Sequence, residues 1–185
     1  MTGLLRFIGI ANAALWFGAA FFFTLSVGPA FFSSDMLGIF GGAQAETTAR
    51  FYAGSAAQVV LERYFLMQEW CGAIALVYLA VDWFYSGRPF QRLTVILTVS
   101  LFCLSLLGGL WIQPKLHQLH KTKYGVGAPV TLAVSQQAAK SFRIWHGLSQ
   151  LMNLVQLGGI AVFLWRVTLP DASSRFVGRP NFRRD

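Results

Sequence analysis

Four long apolar runs separated by clusters of charge dominate the hydrophobic pattern of this chain: Leu4 to Phe32, Tyr64 to Tyr85, Leu93 to Ile112 and Ile144 to Val167. A hydrocarbon layer of about 30 Å takes roughly 20 apolar helical residues to cross, so each run is long enough to span one. Strands of a transmembrane barrel would be roughly ten residues long and would alternate in polarity, and no such alternation interrupts these runs. Without water, the backbone N–H and C=O groups of each run must pair within the segment, which obliges them to coil. The pattern predicts an all-α integral membrane four-helix bundle: a four-span domain over residues 1–167, then a short tail, 168–185.

The two connections on the side away from the termini, "AETTARFYAGSAAQVVLERYF" and "PVTLAVSQQAAKSFRIWHG", mix alanine with polar residues at helical spacing. Pro129 suits a helix start. The second and fourth helices are thus expected to begin outside the bilayer, as helical extensions on the outer face. On the opposite side "YSGRPFQ" reads as a tight turn that makes the second and third spans an antiparallel hairpin. Asp82, one turn before it, is placed to pair with Arg88 or Arg92. Pro29 after Gly28 should kink or unwind the outer third of the first span. Small residues four apart, Gly9 with Ala13 and Ala14 with Gly18, would let another backbone approach, as would Gly108-Gly109 and Gly158-Gly159. Internal packing is preferred to a dimer motif for all of them. Ala43-Gln44-Ala45 has the small-x-small form of a signal-peptide cleavage site, but the apolar run before it is too long for a signal, so it is read as a retained span.

Composition agrees with a membrane: 55% hydrophobic, 12% charged, mean hydropathy +0.53. A net charge of +8 and a pI near 10.1 would point to nucleic acid in a soluble domain. Here the basic residues flank apolar helices instead, so their partner is read as anionic lipid and not nucleic acid. Arg6, Arg88, Arg92, Arg166 and the tail arginines Arg175, Arg179, Arg183 and Arg184 gather mostly in short segments on the side of the termini. Arg50, Arg63, Lys115, Lys121, Lys123, Lys140 and Arg143 lie on the other side in longer connections, where the positive-inside rule weakens. That balance places both termini in the cytoplasm, with the four tail arginines touching lipid or a partner subunit. Trp70, Trp111 and Trp145 fall near outer span ends and Trp83 and Trp165 near inner ones, leaving Trp16 without a belt position. Cys71 and Cys103 sit inside spans without CxxC spacing and read as small core residues.

Polar groups at membrane depth are the candidates for function, because each is costly there without a partner. In the fourth span His146, Gln150, Asn153 and Gln156 recur at four, three and three residues, a polar stripe expected to face the bundle. The second span carries Glu62, Gln68 and Glu69; the third leaves the membrane through Gln113, His117 and His120. These groups are expected at similar heights, with Glu69, Gln113, His117, His146, Gln150 and Asn153 converging. His117, His120, His146 and Glu69 could bind a transition metal, since imidazoles at i, i+3 share a face and a carboxylate can complete or orient the set. Two histidines on different helices could ligate a haem. The histidines could also sense pH or relay a proton to Glu69. The plainer reading, ranked first, is that the paired histidines of "LWIQPKLHQLHKTKYG" mark a hydrated helix exit while the amides cross-link helices. There is no HExxH, GxSxG, phosphate-cradling glycine loop or zinc-spaced Cys/His cluster, so conventional soluble-enzyme chemistry is not expected.

The segments "GPAFFSSDM", "AAQVVLERYF", "PKLHQLHKTKYG" and "FRIWHGLSQLMNLVQL" together resemble the transmembrane protein 205-like family, a four-span group of unknown function, over residues 5–167. The strongest elements are the proline after an apolar-glycine run with aromatics following, and the pattern of His146, Gly147, Ser149 and Asn153. The chain is also distantly similar to copper-resistance membrane proteins and to the haem-dependent membrane protoporphyrinogen oxidase. The first resemblance implies the four-span fold; the second implies metal or haem chemistry only by analogy. The combined expectation is a non-catalytic accessory or structural subunit of a larger membrane complex, without a cofactor. Its rival is a metal- or haem-binding redox or transport protein with a polar site near the outer face.

Overall fold

The structure, a computed structural model, describes residues 2–41, 46–86, 91–126 and 129–169. Ala43-Gln44-Ala45, Arg88 and the tail arginines Arg175, Arg179, Arg183 and Arg184 lie outside the described residues. The chain runs as α1 (Thr2–Phe22), a π-helical turn (Phe23–Val27), α2 (Gly28–Ala30), α3 (Ser34–Ile39), α4 (Glu46–Ser86), α5 (Arg92–Leu107), a second π-helical turn (Gly108–Ile112), α6 (Gln113–Lys123) and α7 (Leu132–Thr168), with no strand among the described residues. Four rods, Gly3–Ala30, Glu46–Tyr85, Arg92–Lys123 and Leu132–Thr168, are each long and apolar enough to cross a membrane. The protein is a multi-pass integral membrane helical bundle.

At 1.5 Å per residue, the 41 residues of α4 extend about 60 Å, twice the hydrocarbon thickness. The 37 residues of α7 likewise exceed a single crossing. Both begin on the side away from the termini, as the helix-compatible connections predict. The start of α7 is set by Thr131, whose hydroxyl accepts the Val134 N–H at 3.4 Å, three residues closer to the span than the proline position implied.

The third rod does not stop at Ile112 but passes through Pro114 to Lys123. Proline lacks an N–H and its ring collides with the carbonyl four residues back. Here the preceding turn widens by one residue, with the Gln113 N–H bonded to Gly108 O across a π-helical spacing. The same device precedes Pro29, where the Gly28 N–H bonds to Phe23 O. The irregularity expected at Pro29 is thus a widened turn inside a continuous rod.

The core gathers Ala13, Trp16 and Ala20 from α1, Cys71 and Ala75 from α4, Leu101 from α5, and Ile160 and Phe163 from α7. Trp16, the tryptophan without a belt position, is fully buried and meets the Phe163 ring edge-on at 6.1 Å between centroids. Trp70, Trp83, Trp111 and Trp165 are exposed, as headgroup-level rings should be. A Cβ at Gly9 would come within 2.5 Å of the Tyr78 ring, and one at Gly159 within 2.6 Å of Leu101, so these glycines serve close internal packing. Gly18 and Gly158 face open space. Cys71 is buried as expected, but Cys103 is exposed on α5 and is not a core residue. At the terminal end Arg6 donates to the Thr168 and Leu169 carbonyls at 3.5 and 3.3 Å, tying the start of α1 to the last turn of α7.

Candidate functional site: a polar seam at membrane depth

Spacings of three and four residues put Tyr64, Gln68 and Cys71 on one face of α4, and Asn12 and Trp16 together on the facing side of α1. Asn12 Nδ2 donates to Cys71 O at 2.9 Å, and Trp16 Nε1 donates to Gln68 Oε1 in a short contact. Tyr64 O–H donates to Asn153 Oδ1 at 2.8 Å, tying α4 to α7. Asn153 Nδ2 then donates to Thr24 Oγ1 at 2.7 Å, and the Thr24 hydroxyl in turn donates to Ala20 O at 2.7 Å. Further toward the termini, Gln156 Nε2 donates to Leu101 O at 3.2 Å and to Ser105 Oγ at 2.9 Å. Arg166 closes the seam by donating to Thr94 Oγ1 at 3.1 Å. Separate groups of side-chain bonds thus tie all four rods together, and one of them passes through the first π-helical turn at Thr24.

Between α4, α5 and α7 this seam encloses a pocket of about 30 Å³ open to water-sized molecules, whose lining includes Tyr64, Gln68, Ser105, Ser149, Asn153 and Gln156. Gln68 Nε2 and Gln156 Oε1 are buried there without hydrogen-bond partners. Of the α7 residues expected to face the bundle, Gln156 is buried here and Asn153 is half-buried. Sequence reading missed Tyr64 and Thr24 as partners of Asn153, and Asn12 and Trp16 as partners of α4, although the Gly9, Asn12, Ala13, Trp16 spacing marks one face of α1.

The polar stripe on α7 is not one face. Gln150 lies about 120° around the helix from Gln156 at 100° per residue, so both cannot point inward. Gln150 and His146 are exposed and bond to each other at 3.2 Å. Gln113 is half-buried. Glu69, also half-buried, sets its carboxylate beside the second π-helical turn, where a Cβ on Gly109 would come 2.8 Å from its Oε1.

The histidines sit elsewhere. His120 is 4% exposed, stacked on Phe51 at 5.5 Å and edge-on to Tyr124 at 5.0 Å. Phe142 packs against His120 at 5.9 Å on one side and stacks on His146 at 5.6 Å on the other, so a phenyl ring stands between the two imidazoles. His117 is half-buried on the same helix. His120 is eleven residues beyond Gly109, roughly 16 Å along the helix, so it and Glu69 are not at one height. Among the described residues no three His, Cys, Asp or Glu side chains gather as a metal site requires. His117, His120, His146 and Glu69 are therefore not assembled into a coordination set, and His120 is a buried aromatic-cluster residue where a hydrated exit was expected.

A family model described as a domain of unknown function, DUF4149, matches residues 12–125, more than half of the chain. The chain belongs to the DUF4149 family. No curated protein and no solved structure matches it. The DUF4149 segment runs from Asn12 through α6 to Gly125, so it holds Trp16, Tyr64, Gln68, Ser105 and His120. The α7 wall of the seam, Asn153 and Gln156, follows it.

Proposed function

We propose that the protein is a non-catalytic membrane component, an accessory subunit that docks on a partner through the outward face of α7, with both termini in the cytoplasm. The observation that carries this reading is the His146–Gln150 pair, polar groups bonded to each other at 3.2 Å yet exposed on a helix within the span. Polar surface turned toward lipid is costly, and it is relieved when another helix covers it. Gly147, beside the pair, has nothing within 4 Å of its Cβ position, and Gly158 repeats that opening three turns on. The α7 window is 17% buried against 28%, 33% and 28% for the other three, so α7 keeps the largest share of its surface for something outside the chain. The seam supports the non-catalytic half of the reading, because most of its polar groups are spent on holding helices together. The four-span resemblance to the transmembrane protein 205-like family fits the same picture.

A photo-crosslinking residue at Leu151 or Leu154, on the exposed face of α7, tests this in native membranes against one at Phe7 on exposed α1. A discrete protein adduct from α7 and none from Phe7 is the expected result, weakened by Gln150→Leu. Equal, lipid-only labelling at all three sites defeats the docking claim. An absorption spectrum with a Soret band, or stoichiometric metal in the purified protein, would replace it with the redox reading.

A further inference from the structure

The pocket in the seam contains two polar atoms whose identities are fixed by their neighbours. An indole N–H can only donate, so Trp16 holds Gln68 with its oxygen toward α1 and leaves its Nε2 buried without a bond. A backbone carbonyl can only accept, so Leu101 O holds Gln156 with its nitrogen toward α5 and leaves Oε1 free. Neither amide can be turned over without losing its existing bond. Gln68 is 1% exposed and Gln156 6% exposed, so neither atom reaches bulk solvent or lipid headgroups. The site therefore offers one buried donor and one buried acceptor, and each is expensive to leave unmade.

The lining carries Tyr64, Ser105, Ser149 and Asn153 besides the two glutamines, and no charged side chain. An ionic occupant would meet no countercharge, so the ligand is neutral. It must accept from Gln68 and donate to Gln156, which a hydroxyl or water does with a single oxygen. A water needs roughly 10–15 Å³ of such space, and about 30 Å³ is present, enough for one water or a short water pair. We propose that this pocket is an internal hydration site, holding one water or a short water pair that accepts from Gln68 Nε2 and donates to Gln156 Oε1. The bundle then has a wet point at membrane depth, beside Gly108 in the second π-helical turn, joining α4 to α7 where no direct side-chain bond between those glutamines exists.

The test uses the full chain in lipid nanodiscs with nitrogen-15-labelled glutamine side chains. A nuclear Overhauser cross-peak between the Gln68 side-chain amide protons and water is expected in the wild type. It should be lost in Gln156→Met, which removes the acceptor at nearly constant volume, while the backbone spectrum of the other rods persists. Xenon should bind weakly or not at all to the wild type, because water held by the two amides already fills the space. Xenon uptake at this pocket in the wild type, or cross-peaks from Gln68 to acyl-chain protons in place of water, overturns the proposal. Should Gln156→Met fail to fold, the wild-type cross-peak and xenon measurements still decide the matter.

Discussion

Asn153 is the node at which the seam can be measured. It accepts from Tyr64 O–H at 2.8 Å and donates to Thr24 Oγ1 at 2.7 Å, so one amide joins three rods. A side-chain hydrogen bond within a membrane bundle is worth about 0.6 kcal/mol on average and at most about 1.7. Tyr64→Phe removes one such bond and should destabilise by ~0.6 kcal/mol. Asn153→Leu, similar in volume, removes both and should cost ~1.2 kcal/mol. The double variant should cost no more than Asn153→Leu alone, because the Tyr64 bond is already gone. The double-mutant cycle therefore has a coupling of ~0.6 kcal/mol, which packing changes at separate sites would not produce. Reversible unfolding in bicelles, followed by denaturant or steric trapping, reads all four corners. Strict additivity of the two single variants would refute the argument, since it would mean the phenol and the amide do not share a bond.

Gly108 and Gly158 make a matched pair, because a Cβ at Gly108 would strike the Phe65 ring while Gly158 is open. Gly108→Ala should lose about 1–3 kcal/mol by overpacking and Gly158→Ala should be neutral or gain up to ~1 kcal/mol of helix propensity; equal effects would contradict the packing described. Gly54 lies against His120 Nε2, so Gly54→Leu should dislodge the imidazole from Phe51 and open it to diethyl pyrocarbonate, which should leave His120 unmodified in the wild type. Modification of His120 at equal rates in both forms would show that the ring is not shielded. Cys103→Leu should leave stability within about 0.5 kcal/mol, whereas Cys71→Leu should overpack the core and cost about 1–3 kcal/mol, and unfolding of both variants in bicelles checks that assignment.

The number of rods and their apolar stretches were legible because length and charge alone decide them at 30 Å thickness. The extensions of α4 and α7 were legible from polar residues at helical spacing. What the sequence hid were rotations. Over the ten residues from His146 to Gln156 the helix turns by about 80° net, enough to move one end of the stripe outside while the other stays in. Trp16 stands out in the sequence only as the tryptophan without a belt position, yet its place one turn from Asn12 makes it the donor that fixes Gln68. The histidine pair looked hydrated because lysines surround it in sequence, but Phe51 and Phe142, distant along the chain, enclose His120. No local pattern announces such a long-range aromatic cluster.

The widened turn at Gly108–Ile112 also governs how this chain can change length. It winds one more residue into the rod than an ordinary α-turn over the same pairing. Dropping a residue inside it, together with Pro114→Ala to remove the obstructing ring, would let the coil close evenly while Ser105 and His120 kept their headings. The same deletion made anywhere else in α5 or α6 would swing every later side chain by about 100° and empty the aromatic pocket.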